Sequence, residues 1–333
     1  MKKILALILA VLMLTAVFAG CANTEKKDES SLQAATQKAD INIAGLKGPT
    51  TMGLVKIIED NKNGKAANNY NFTIAGSADE ITPKLTKGEL DIAAIPANLA
   101  SVLYNKTQGK IKVLAVNTLG VVYITEKGES VKSVADLKGK KIYATGKGST
   151  PEYTLRYILK ENGLDPDKDV TIEWKSEPTE VVALLSKEAE GVAMLPQPYV
   201  TVAQNSVEGL RIAINLNDEW EKLDNGSMCI TGVVVARTEF IENNKAAVDA
   251  FLKEYKKSTA YVNENVSEAA ALIEEVGIVK AAVAQKAIPY CNITYIDGAK
   301  MKTGLKGYLQ VLFDSNANAV GGALPDDNFY YEK

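Results

Sequence analysis

Two stretches one hundred positions apart carry residue types from which a polar ligand site can be built. They read Ala44-Gly-Leu-Lys-Gly-Pro-Thr-Thr51 and Ala144-Thr-Gly-Lys-Gly-Ser-Thr-Pro151. Each follows a short apolar run (41–44; 142–144). Each precedes apolar residues at helical spacing, Met52, Val55 and Ile58 in one and Leu155, Ile158 and Leu159 in the other. Both therefore read as strand, glycine-containing turn and helix start. A helix start offers unpaired N–H groups and a partial positive charge, suited to a polar or anionic group. Either one alone reads first as an ordinary βα loop capped by Thr or Ser. A second repeated pair, Glu80 and Glu180, has the residue type of acid–base chemistry, or simply of first-turn acids favoured by the helix dipole. Other chemistry is thin. The chain has no histidine, which removes the commonest general base and the commonest zinc ligand. Beyond Cys21 there are only Cys229 and Cys291, which read as one disulfide or as two separate buried thiols. No catalytic residue, metal or cofactor is expected.

The elements that must position these residues repeat with them. Residues 41–105 laid without a gap on 141–205 give 12 identities in 65 positions, Lys47/Lys147, Gly48/Gly148, Thr50/Thr150 and Pro96/Pro196 among them. Strands and helices alternate in the same order in both copies, which argues for two similar doubly wound α/β lobes. Ligands meet such sheets at the loops after the strands' carboxyl ends. In the first copy those loops hold Thr50, Thr51, Ser77 and Asn98; in the second, Ser149, Thr150, Gln197 and Tyr199. Thr231, in a β-branched run read as a return crossover, completes the candidate ligand-binding set. The expected layout is residues 40–119 plus 234–333 as lobe 1 and 120–233 as lobe 2, with long amphipathic helices near 246–263, 267–275 and 300–314 completing the first.

Ahead of the lobes lies a different kind of sequence. Lys2 and Lys3 precede an apolar run over 4–19, the pattern of a secretory signal peptide over residues 1–20. Residues 22–39 are polar, charged and poor in apolar side chains, as in a flexible tether. Without Lys2 and Lys3 the chain keeps 36 basic and 41 acidic residues, and no basic cluster interleaved with aromatics suggests nucleic acid.

The run Phe18-Ala-Gly-Cys21 resembles the lipobox of bacterial lipoproteins, although Phe18 stands where Leu is usual. That resemblance implies lipidation at Cys21 and a place on the extracytoplasmic face of the cell membrane. Across 40–330 the chain resembles a solute-binding protein of bacterial ABC importers, of the nitrate/sulfonate/taurine-binding and thiamine-precursor-binding type. The stretches carrying this are Gly88-Glu-Leu-Asp-Ile-Ala-Ala, Val134-Ala-Asp-Leu-Lys-Gly-Lys-Lys-Ile, Leu155-Arg-Tyr-Ile-Leu-Lys-Glu-Asn-Gly-Leu-Asp-Pro and Leu195-Pro-Gln-Pro-Tyr. The resemblance implies a type II periplasmic-binding-protein fold: two lobes, two crossover strands, and one small molecule in the cleft, delivered to an ABC permease and its ATPase. The ligand stays open between a sulfonate- or nitrate-like anion and a thiamine-precursor-like heterocycle stacked on Tyr199 or Tyr123. None of the three arginines, Arg156, Arg211 and Arg237, is obviously placed to clamp a carboxylate or sulfonate. The other readings are an enzyme on the same fold, without the histidine and cysteine-rich motif of thiamine-pyrimidine synthases, and a sensor that binds without transport.

Overall fold

Short β-branched runs ended by glycine, proline or polar residues become strands, and the amphipathic stretches between them become helices that cover both sheet faces. The structure is a computed structural model and describes residues 38–332. The expected signal peptide, Cys21 and nearly all of the expected tether lie outside the described residues. In chain order the first lobe contains β1 (Asp40–Leu46), α1 (Pro49–Met52), α2 (Val55–Lys62), β2 (Asn69–Ala75), α3 (Ala78–Lys87), β3 (Ile92–Pro96), α4 (Ala97–Lys106) and β4 (Ile111–Leu119). The second contains β5 (Val122–Lys127), β6 (Lys141–Thr145), α5 (Thr150–Glu161), β7 (Thr171–Lys175), α6 (Pro178–Lys187), β8 (Gly191–Pro196), α7 (Tyr199–Ser206), β9 (Leu210–Asn215) and α8 (Leu216–Lys222). The chain then returns through β10 (Ile230–Arg237), α9 (Thr238–Asn243), α10 (Lys245–Glu264), α11 (Val266–Glu275), α12 (Ala281–Ala287), β11 (Ile293–Ile296) and α13 (Gly298–Ser315).

The strand orders display the duplication. The first sheet runs β11-β4-β10-β3-β1-β2 and the second β7-β6-β8-β5-β9. Each has a parallel trio, β2-β1-β3 or β7-β6-β8, beside an antiparallel strand that arrives from the other lobe. That strand is β10 in the first sheet and β5 in the second. β10 pairs with β4 from Ile230 and with β3 from Gly232 onward, so the boundary expected at 233/234 falls within this strand.

One pair of the gapless alignment is out of register. Ile43 pairs with Ile92 in the first lobe, whereas Ile142 pairs with Val192 in the second. β6 therefore matches β1 at an offset of 99. A one-residue slip turns side chains to the opposite face. Ala44 accordingly packs with Ile81 and Leu85, while Ala144 packs with Leu155 and Ile158, and Tyr143 takes the place equivalent to Ala44. The extra residue is absorbed in the longer loop between β6 and α5.

Helix α10 buries Val248, Phe251, Leu252 and Tyr255 against Ile41 and Ile43 on one face of the first sheet. Helices α3, α4 and α13 cover the other face. The short strand β11, at the edge beside β4, was not evident in the sequence. Ahead of β10 in the chain, Trp220 of α8 is fully buried between Tyr157 of α5 and Tyr308 of α13, with ring centroids 4.8 and 5.3 Å away. This aromatic ladder joins the lobes.

Candidate functional site

The carboxyl ends of β1, β2 and β3 face those of β6, β7 and β8 across a cavity of about 690 Å³. That size suits a metabolite-sized ligand. Strand order sets the layout. Loops after the edge strands β2 and β7 form one end, loops after β1 and β6 the middle, and loops after β3 and β8 the end nearest the crossovers.

Seven of the nine candidate ligand residues line this cavity: Thr50, Ser77, Ser149, Thr150, Gln197, Tyr199 and Thr231. Thr51 and Asn98 do not. The Thr51 hydroxyl donates to Leu46 O at 2.6 Å, and its side chain fills the space that a Cβ at Gly45 would need. Asn98 is 2 % exposed and donates to Gly148 O at 3.4 Å and Ala319 O at 3.1 Å. Tyr123 is likewise no cleft aromatic. It is buried in the second-lobe core and donates its hydroxyl to Tyr290 O, and burial pushes its phenol up to about 12.

Two of the loop N–H donors expected in the second lobe, those of Gly148 and Ser149, are already engaged. Gly148 N–H donates to Glu152 Oε2 at 2.6 Å, and Glu152 Oε1 accepts from Arg156 Nε at 2.9 Å. The carboxylate thus occupies the start of α5, where an anion was expected. In the first lobe the corresponding helix, α1, is a single turn. Several hydroxyls are engaged too: Thr50 with Leu46 O, Ser149 with Gly146 O, and Thr150 with Asn98 Oδ1. Gln197 differs. Its Oε1 accepts from Thr201 Oγ1 at 2.9 Å and Thr201 N at 3.4 Å, which fixes the amide and leaves Nε2 without a protein partner among the described residues.

The sequence reading also missed cavity residues. Trp174 and Lys175 close β7, and Glu177 caps α6. Lys47 and Lys147 line the middle of the cavity, one from each lobe, and neither pairs with a described carboxylate. Both stood among the repeated identities, which was the available signal. Lys175 instead pairs with Glu173 at 2.7 Å. Burial raises the Tyr199 phenol, and the nearby Glu177 charge adds to this.

Groups considered for chemistry are used structurally. Glu80 Oε1 accepts from Gly76 N and Ser77 N, and Glu180 Oε1 accepts from Glu177 N, each at 3.0 Å. These are helix-capping contacts. Arg156 pairs with Glu152 and Asp167, Arg237 with Asp91 at 2.8 Å, and Arg211 with the buried Glu126. Cys229 and Cys291 are free and buried, and burial pushes the Cys229 thiol up to about 12. Among the described residues, no three Cys, Asp or Glu side chains gather as a metal site.

Two α/β lobes, a crossover strand in each sheet and a cavity at the facing strand ends define the type II periplasmic-binding-protein fold. The chain belongs to the NMT1-like family, whose pattern matches residues 59–276. An ABC transporter structure from Parabacteroides distasonis is similar to it at 26% identity and TM-score 0.75, covering 89% of this chain and 100% of that one. The periplasmic aliphatic sulphonate binding protein SsuA from Escherichia coli shares the fold at TM-score 0.71 and 17% identity, over 89% of this chain and 93% of that one. A Brucella abortus protein named as a binding protein is 27% identical over 178 residues, 51% of this chain and 53% of that protein. The chain thus spans about half the length of the curated relatives it matches.

Proposed function

We propose that this protein captures a small molecule between its lobes outside the cytoplasm and delivers it to an ABC permease with its ATPase. The observation that carries this reading is a cavity lined by equivalent βα loops of both lobes. Such a site is complete only when the lobes close, as expected of hinge-closing binding proteins. The fold shared with transport-associated binding proteins supports it. The use of Glu80 and Glu180 as helix caps favours binding without catalysis. Lys47 and Lys147 suit a sulfonate- or nitrate-like anionic group, and the faces of Trp174 and Tyr199 suit a thiamine-precursor-like heterocycle. Native mass spectrometry of the purified protein tests this, with one retained small molecule per chain as the expected result. A protein that retains none, and binds none from a metabolite panel by calorimetry, contradicts it.

The mature chain is held to the membrane by a lipid on Cys21, a reading supported by the Phe18-Ala-Gly-Cys21 sequence. Cys21→Ser releases the protein from the membrane fraction on this account. A wild-type protein found free, with no lipid mass at its first residue, removes the anchor.

A further inference from the structure

Asn98 was a candidate ligand residue by sequence, yet its contacts run between the lobes. It sits in the first turn of α4, in the first lobe. Its Nδ2 faces two carbonyls, Gly148 O across the cleft and Ala319 O in its own lobe. A carbonyl only accepts, so this fixes the amide orientation and leaves Oδ1 to accept from Thr150 Oγ1 at 3.1 Å. Thr150 Oγ1 also lies 3.3 Å from Thr231 O, at the start of the return crossover strand. Gly148 and Thr150 flank Ser149 in the cavity wall. Asn98 therefore holds the second-lobe loop in position without lining the cavity itself. The device is one-sided, because the equivalent place in the second lobe is Pro198, which has no side-chain donor.

Behind this contact the seam continues. The buried hydroxyls of Thr154 on α5 and Tyr308 on α13 face each other across the lobes, beside Thr150 and the buried Cys229 thiol. Separating α5 from α13 would open this group to water and break the bonds at Asn98. The aromatic ladder through Trp220 pins the far end of the same seam.

We propose that the seam between α5 and the pair α4 and α13 sets the balance between closed and open lobes, with Asn98 as its latch. Asn98 is a positioning residue in this scheme. The proposal rests on the two-lobe capture reading for its purpose, but its test needs no ligand, so the two can fail separately.

The test is double electron–electron resonance on the full chain in a Cys21→Ser background, freed of small molecules. Spin labels go at Lys87→Cys and Lys187→Cys, two exposed positions at the ends of α3 and α6. Cys229 and Cys291 are buried and stay unlabelled. Asn98→Ala removes two cross-lobe hydrogen bonds and raises the open-to-closed ratio roughly ten-fold or more. Thr150→Val removes one of those bonds from the other lobe and raises the same ratio about three-fold or more. Displacement of the interlobe distance distribution toward the open state in both variants supports the latch. An unchanged distribution in either variant, or displacement toward closure, overturns it. A merely structural role for either residue moves the melting temperature and leaves the distances alone.

Discussion

Replacing Lys47 and Lys147 together by methionine separates an anionic ligand from a neutral one. The two side chains line the middle of one cavity, come from opposite lobes and pair with no described carboxylate. Their charge is therefore uncommitted. Opposite unit charges about 4 Å apart attract by about 1 kcal/mol in water and about 4 kcal/mol at an effective dielectric of 20. Both lysines are exposed, so the water-like end of that range applies. One lysine is then worth about five-fold in affinity for an anion, and the pair about 25-fold. Calorimetry with the small molecule recovered from denatured wild-type protein measures the change. The affinity of the wild type for an anion also falls toward that of the variant as salt rises from about 0.1 M to 1 M, where the screening length shrinks from about 10 Å to 3 Å. A neutral ligand changes by less than about two-fold. Thermal unfolding without ligand stays put, since no ion pair is lost. A negatively charged ligand bound equally well by the double variant refutes the argument.

Three other outcomes follow from named contacts. Glu126 is buried, which raises its carboxyl, but hydrogen bonds from Ser130 and Val131 and the Arg211 charge outweigh this and hold it below the usual glutamate value. Its depressed value means that its stabilisation is fully present above the ordinary glutamate range and is lost as pH falls through the depressed value; Glu126→Gln costs about 2–3 kcal/mol at pH 7 by denaturant unfolding, and that cost vanishes in acid. Trp220→Ala removes a fully buried side chain and the ring contacts between lobes, lowering stability by about 3–5 kcal/mol in the same assay. Gln197→Leu removes the fixed Nε2 donor and weakens binding of the recovered small molecule about three- to ten-fold, with little change in ligand-free melting.

Much of this architecture is legible in the sequence because the duplication doubles every local signal. A single Lys-Gly-x-Thr turn reads as any βα loop; two of them, each followed by the same order of elements, read as facing lobes. The limits are equally physical. Identity cannot reveal the slip between β1 and β6, because Ala44 and Ala144 are both small and both buried while facing opposite sides. Thr51 and Asn98 sit at the expected strand-to-helix junctions, but in the first turns of α1 and α4, where Thr51 turns onto Leu46 O and Asn98 onto the other lobe. Ser149-Thr-Pro-Glu152 carries the spacing of a capping box, which places the Glu152 carboxylate at the start of α5, although it takes the Gly148 N–H and not that of Ser149. Trp174 is hidden differently. It reads as a strand residue, and only the closure of β7 against the opposite lobe makes it part of a wall. Strand β11 has four residues and a bulged register, too short for its alternation to stand out.

The central claim is that one small molecule is held by both lobes at once. A crystal structure of the protein with the small molecule it retains tests this most directly. The account predicts that molecule inside the cavity, between the Lys47–Thr50 and Lys147–Thr150 loops and within hydrogen-bond reach of Gln197 Nε2. A molecule bound to one lobe alone, or outside the cleft, contradicts it.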